Sequence, residues 1–80
     1  MSKQLTQVTD SWQLIGAGKV TVTIDTVGSG TLYFNETEND STAYKASGAA
    51  GDQFQQTETL PTYVRASGSG WSIIADGVLS

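Results

Sequence analysis

The chain contains no cysteine and no histidine. Without cysteine there is no disulfide framework, and without thiolate or imidazole a structural zinc site is close to excluded. Basic residues are scarce: four lysines and arginines stand against eight acidic residues, for a formal charge of −4. Lys3, Lys19, Lys45 and Arg65 are scattered along the sequence. That argues against nucleic acid as a partner, because affinity for a phosphate backbone comes from clustered cations. No apolar run approaches membrane-spanning length, and the polar start Met1-Ser2-Lys3-Gln4-Leu5 lacks the apolar stretch of a secretory signal. A small reading frame translated in a cytoplasm, with no membrane partner, is the resulting expectation. Proline occurs once, as Pro61, and hydrophobic residues make up only 38% of the chain. No catalytic or cofactor motif is present, so no cofactor, no metal and no catalytic residue is expected.

What is present is a chain of 80 residues devoted to short β-type runs. A domain of this size buries only about 60–65% of the surface its unfolded form exposes. Small folds usually gain support from disulfides, metal or oligomerisation. With the first two removed, self-association is the expected source. The clearest run, residues 19–25, alternates Val20, Val22 and Ile24 with Thr21 and Thr23, a period of two that specifies a strand. Further runs are read at residues 12–15, 31–35, 62–66 and 71–75, with weaker strand character around Phe54, and the irregular middle third, residues 36–51, is read as long loops with at most one short edge strand. Gly16-Ala17-Gly18, Val27-Gly28-Ser29-Gly30 and Ser67-Gly68-Ser69-Gly70 are read as turns, and Asp76-Gly77 as a final turn or bulge. Pro61 sits just before a strand, where it is tolerated. The fold class is therefore all-β: a small antiparallel β-sandwich or barrel of about six to seven short strands. Val20, Val22, Ile24, Leu32, Phe34, Val64 and Ile73 form the expected core, with Trp12 and Trp71 closing its ends or an interface. Residues 1–11, with only Leu5 and Val8 as apolar anchors, are read as a flexible or partner-bound arm, and residues 12–80 as a single β domain.

Each candidate site has a plain alternative. The acidic stretch Glu36, Glu38 and Asp40 lacks the spacing of an EF-hand loop and reads as a solvated loop. Asp25, Glu58 and Asp76 lie at or near strand ends, where a carboxylate pair about 5–9 Å apart would suit glycoside hydrolysis. A core this thin is a poor shaper of a water-excluding cleft. The glycine pairs lack the lysine and helix of a phosphate loop. Trp12, Tyr33, Tyr44, Tyr63 and Trp71 could stack on sugars, and alternation marks Tyr33 and Tyr63 as the rings expected to be exposed. Arg65, the one arginine, suits bidentate pairing across an interface. Trp12, Tyr33, Tyr63, Arg65 and Trp71 are accordingly the candidate oligomer or partner interface.

Tyr63-Val64-Arg65-Ala66 followed by Gly68-Ser69-Gly70-Trp71-Ser72-Ile73-Ile74, together with Trp12-Gln13-Leu14-Ile15 and Val20-Thr21-Val22-Thr23-Ile24, resembles the small virion accessory proteins of tailed bacteriophages, of the head-decoration and head-fibre type. The resemblance implies a structural protein without enzymatic activity, a homo-oligomer and often a trimer, bound to other virion proteins of a capsid or tail. Its location would be the virion, after synthesis in the host cytoplasm. A carbohydrate- or receptor-binding module, presenting exposed aromatics to a host-surface glycan, is the alternative reading.

Overall fold

The computed structural model describes residues 2–46 and 48–80; position 1 of the expected arm and position 47 of the middle loop lie outside the described residues. Those residues form seven strands: β1 (Ser2–Gln7), β2 (Gln13–Thr26), β3 (Leu32–Asn35), β4 (Tyr44–Lys45), β5 (Gln53–Gln56), β6 (Thr62–Ala66) and β7 (Ser72–Leu79). All pairings are antiparallel, in the order β1-β7-β2-β6-β3-β4, with β5 also on β2. Among the described residues, no helix is long and apolar enough to cross a membrane.

β2 is the hub, and its length explains the closure of the sheet. One edge carries β7 from Gly16 to Thr26. The other is divided: Gln13 to Gly16 pair with β6, and Val20 to Thr23 pair with β5. β3 extends from β6, yet its Phe34 ring stacks on Phe54 of β5 at 4.8 Å and 5°. The sheet must therefore curl so that strands from the two ends of β2 meet. On the opposite side, Val8 N–H donates to Trp71 O (3.0 Å) and Ala66 N–H donates to Thr9 O (2.9 Å), which ties the chain after β1 to both β7 and β6. Inside the curl lie all seven core residues expected from alternation, joined by Val8, Ile15, Ala66, Trp71 and Ala75.

Two expectations are corrected. The described part of the expected arm, residues 2–11, is not a free arm, because residues 2–7 form β1 in unbroken register with β7, from Ser2↔Gly77 to Gln7↔Ser72. Val8 belongs to the core, so the domain begins at β1 rather than at residue 12. The ladder to β7 satisfies backbone groups that an isolated polar segment would leave to water. Gly16-Ala17-Gly18 is likewise not a turn. It lies within β2, where the register jumps from Gly16↔Leu79 to Val20↔Gly77. Four positions on β2 thus span two on β7, a bulge that increases the twist and turns β2 from β6 towards β5. Gly77 faces this bulge at φ +135°, and a Cβ there would lie 2.5 Å from Lys19 O, so the position demands glycine.

The turns at residues 28–30 and 67–70 form a clasp. Ser29 N–H donates to Ser69 O (2.9 Å), Ser69 N–H to Ser29 Oγ (3.1 Å) and Ser67 N–H to Thr31 O (2.9 Å). Trp71 Nε1 then donates to Ser29 O at 2.7 Å. This bond fixes the indole over the core, where Trp71 is 2% exposed.

One buried group is poorly served. Thr62, at the start of β6, is fully buried and its Oγ1 has no hydrogen-bond partner among the described residues. An unsatisfied buried hydroxyl costs about 1–3 kcal/mol. Thr62→Val, which keeps the shape and removes the hydroxyl, is expected to raise stability by about 1 kcal/mol, read as a higher urea midpoint with unchanged slope. A loss of stability would reveal a partner for the hydroxyl.

Candidate functional site

The side chains with the richest chemistry gather on the outer face of β2, β6 and β3. Alternation in β6 sends Thr62, Val64 and Ala66 inward and leaves Tyr63 and Arg65 outward and half-buried. β3 does the same, burying Leu32 and Phe34 beneath an outward Tyr33. Register builds two rows across this surface. Leu14 lies opposite Tyr63, which lies opposite Asn35. Arg65 lies opposite Tyr33, which lies opposite Lys45. Trp12 is half-buried just before β2. Leu14 itself is exposed.

Arg65 is held from two directions. Its guanidinium carbon lies 5.0 Å from the centroid of the Tyr33 ring, a cation–π arrangement. Its Nε donates to Asp40 Oδ1 at 3.1 Å, and its side chain is only 17% exposed. Nη1 is buried without a partner among the described residues. Asp40 reaches this position because Asn35 organises the loop after β3: Nδ2 donates to Asn39 O (2.7 Å) and Thr42 Oγ1 (2.9 Å), while Oδ1 accepts from Glu36 N–H (2.8 Å). Two of the three acidic residues in this loop thus have protein partners, since Glu36 Oε2 also accepts from Gln56 Nε2 at 2.9 Å. The Arg65–Asp40 pair contributes little stability, because Asp40 is 57% exposed and such pairs are worth about 0–1 kcal/mol. Its effect is to fix the guanidinium over Tyr33.

Three of the five candidate interface residues, Tyr33, Tyr63 and Arg65, therefore share one face, and Trp12 stands just outside β2. Trp71 does not share it. As a core residue it offers no ring to a partner, which corrects its assignment to the interface. Nor are Tyr33 and Tyr63 the most exposed tyrosines; Tyr44 is, at 51%, because β4 is an edge strand of two residues with both positions exposed.

Tyr44 marks a feature that sequence patterning did not reveal. Its ring lies 5.5 Å from Phe54 and 6.4 Å from Phe34, at the mouth of a cleft of about 240 Å³ lined also by Ile24, Asp52 and Gln53. Phe34 and Tyr44 are register partners on β3 and β4, whereas Ile24, Asp52 and Phe54 belong to the β2–β5 side, so the curl brings the two groups together. Asp25 and Asp76, two of the three carboxylates considered for a hydrolytic pair, stay apart. Asp76 lies opposite Thr21, and Asp25 is four residues farther along β2, about 13 Å at the rise of a strand. Asp25 Oδ2 instead accepts from Ser72 Oγ at 3.0 Å. No family model, curated protein or solved structure matches the chain.

Proposed function

We propose that the protein is a non-enzymatic structural module of a tailed-phage virion, a capsid-decoration, head-fibre or tail-accessory protein that self-associates and docks on other virion proteins. The observation that carries the docking role is the shared outer face of Leu14, Tyr33, Tyr63 and Arg65. Its aromatic and arginine composition is that of interface centres. Arg65 lies immobilised on Tyr33, so little side-chain entropy remains to be lost on docking. The virion assignment, and a three-fold contact within the assembly, rest on the resemblance of the strands around Tyr63 and Val20 to phage accessory modules. A second copy of the chain is the occupant proposed for this face.

The double variant Leu14→Glu/Tyr63→Glu places two carboxylates on the surface while leaving the inward residues untouched. It is expected to keep the β circular-dichroism spectrum and to lower the self-association constant by at least about a hundredfold, as buried like charges across an interface cost several kcal/mol. An unchanged association constant would remove this face from the assembly.

One observation favours a second reading. The half-exposed Tyr44 ring stands beside Asp52 and Gln53 in the cleft, an arrangement of aromatic face, carboxylate and amide that suits a sugar. Under the glycan reading, Tyr44→Ala abolishes retention on a glycan array and Tyr63→Ala leaves it unchanged. An array with no signal above background sets that reading aside.

A further inference from the structure

The outer edge of β1 is an unprotected template for strand addition. The bond from Val8 N–H to Trp71 O fixes the phase of the β1–β7 ladder, since position 8 lies opposite position 71 in the register that pairs Leu5 with Ile74. Hydrogen-bonded and non-hydrogen-bonded pairs alternate along an antiparallel ladder. Even-numbered residues of β1 therefore bond to β7, while Lys3, Leu5 and Gln7 direct their N–H and C=O groups away from β7, where Gln7 O accepts a long bond from Gln13 Nε2 at 3.4 Å. Natural edges are usually blunted by proline, bulges, short length or several charges. β1 has six residues, uninterrupted register, no proline and a single charge, Lys3. At its centre Leu5 is 62% exposed. By contrast β4 has only two residues and β5 four.

We propose that this edge pairs with β1 of a second copy across a two-fold axis centred on Leu5. The inference rests on the self-association reading and names one contact within it. Ladder phase selects the register. Pairing Leu5 with Leu5 sets Lys3 opposite Gln7 in both directions, so outward-directed groups meet outward-directed groups and six backbone hydrogen bonds form, two of them by displacing Gln13 Nε2 from Gln7 O. Centring the axis on Gln4 would leave Gln7 without a free partner in the strand and give four, and a one-residue slip would oppose free groups with groups already bonded to β7. The Leu5 register also buries two exposed leucines against each other. It keeps the two Lys3 charges about 13 Å apart along the strands, beyond a Debye length at physiological salt. Because Leu5, Ile74, Thr23 and Gln53 lie in one cross-strand row, the pairing joins two four-stranded surfaces into one of eight strands. Assemblies built this way contain an even number of copies: a dimer from this contact alone, or a hexamer where a three-fold contact is also made.

The natural chain has no cysteine, so single cysteines report the register directly. Hydrogen-bonded antiparallel partners stand about 5.5 Å apart at Cα, within disulfide range. Leu5→Cys in a glutathione redox buffer is expected to form covalent dimer at least about tenfold faster than Leu60→Cys, an exposed loop position. Lys3→Cys mixed with Gln7→Cys should couple to each other in preference to themselves. Leu5→Pro removes an N–H that points away from β7, so it should preserve the fold by circular dichroism and abolish even-numbered species. Equal rates for Leu5→Cys and Leu60→Cys, or preferential self-coupling of Lys3→Cys, overturn the pairing. A strict trimer in solution overturns it while leaving self-association standing, and a strict monomer overturns both.

Discussion

Trp71→Ala is expected to remove a large share of the stability of the folded state. A domain of this length has a total stability of about 4–12 kcal/mol. Replacing a buried tryptophan by alanine costs about 3–5 kcal/mol. Trp71 is the largest fully buried side chain, and its loss also removes the indole donor from Ser29 O. The cavity would open beneath the clasp that joins the β2–β3 and β6–β7 turns, so little could collapse into it without releasing both. Trp71→Phe separates the two contributions. It keeps most of the packing, loses the hydrogen bond and should cost about 1–2 kcal/mol. Urea unfolding followed by far-ultraviolet circular dichroism measures both. A Trp71→Ala protein within about 1 kcal/mol of the parent would show that the indole is not the keystone inferred from its burial.

Gly68→Ala has the second largest expected effect, although it adds a single methyl group. A Cβ at Gly68 would strike the backbone carbonyl and Oγ of Ser29. A carbonyl oxygen held in a hydrogen-bonded turn cannot rotate aside as a flexible side chain would. The two turns must separate, stretching the Ser29–Ser69 bonds and the indole bond together. We expect a loss of about 3 kcal/mol, from overpacking of about 1–3 kcal/mol and hydrogen bonds worth about 0.5–1.5 kcal/mol each. Gly51→Ala is the matching control. Gly51 has φ +93° and no atom within 4 Å of the place its Cβ would take, so it isolates the backbone penalty of about 1–2 kcal/mol. If Gly51→Ala costs as much as Gly68→Ala, conformation rather than close approach governs these turns.

Much of this architecture is legible in local pattern. Residues 19–25 alternate so regularly that their inward face follows directly, and the same rule places Leu32, Phe34, Val64 and Ile73 in the core. Rules of short range fail where partners are remote. β1 reads as an arm because Gln4 and Thr6, the strand residues on Val8's side, are polar; it is a strand only because β7 offers it a ladder. The glycines at 16 and 18 carry the composition of a turn, and their role as a bulge depends on β7 passing opposite them. At the candidate site, alternation correctly sets Tyr33, Tyr63 and Arg65 against the core face. It does not show that Arg65 lies on Tyr33, or that Asn35 folds a loop to bring Asp40 to it. Trp71 turns inward because of Ser29, far away in sequence, and Tyr44 emerges because β4 is too short to be covered.

The same outer surfaces give the chain its proposed role. With the interior filled by its own side chains, association must use the face around Tyr63 and Arg65 or the edge of β1. Sedimentation equilibrium of the purified chain across the micromolar range tests this most directly. The expected result is a reversible assembly whose mass is a multiple of the 8.4 kDa chain, rising with concentration and falling with Leu14→Glu/Tyr63→Glu. A mass of 8.4 kDa throughout that range would contradict it.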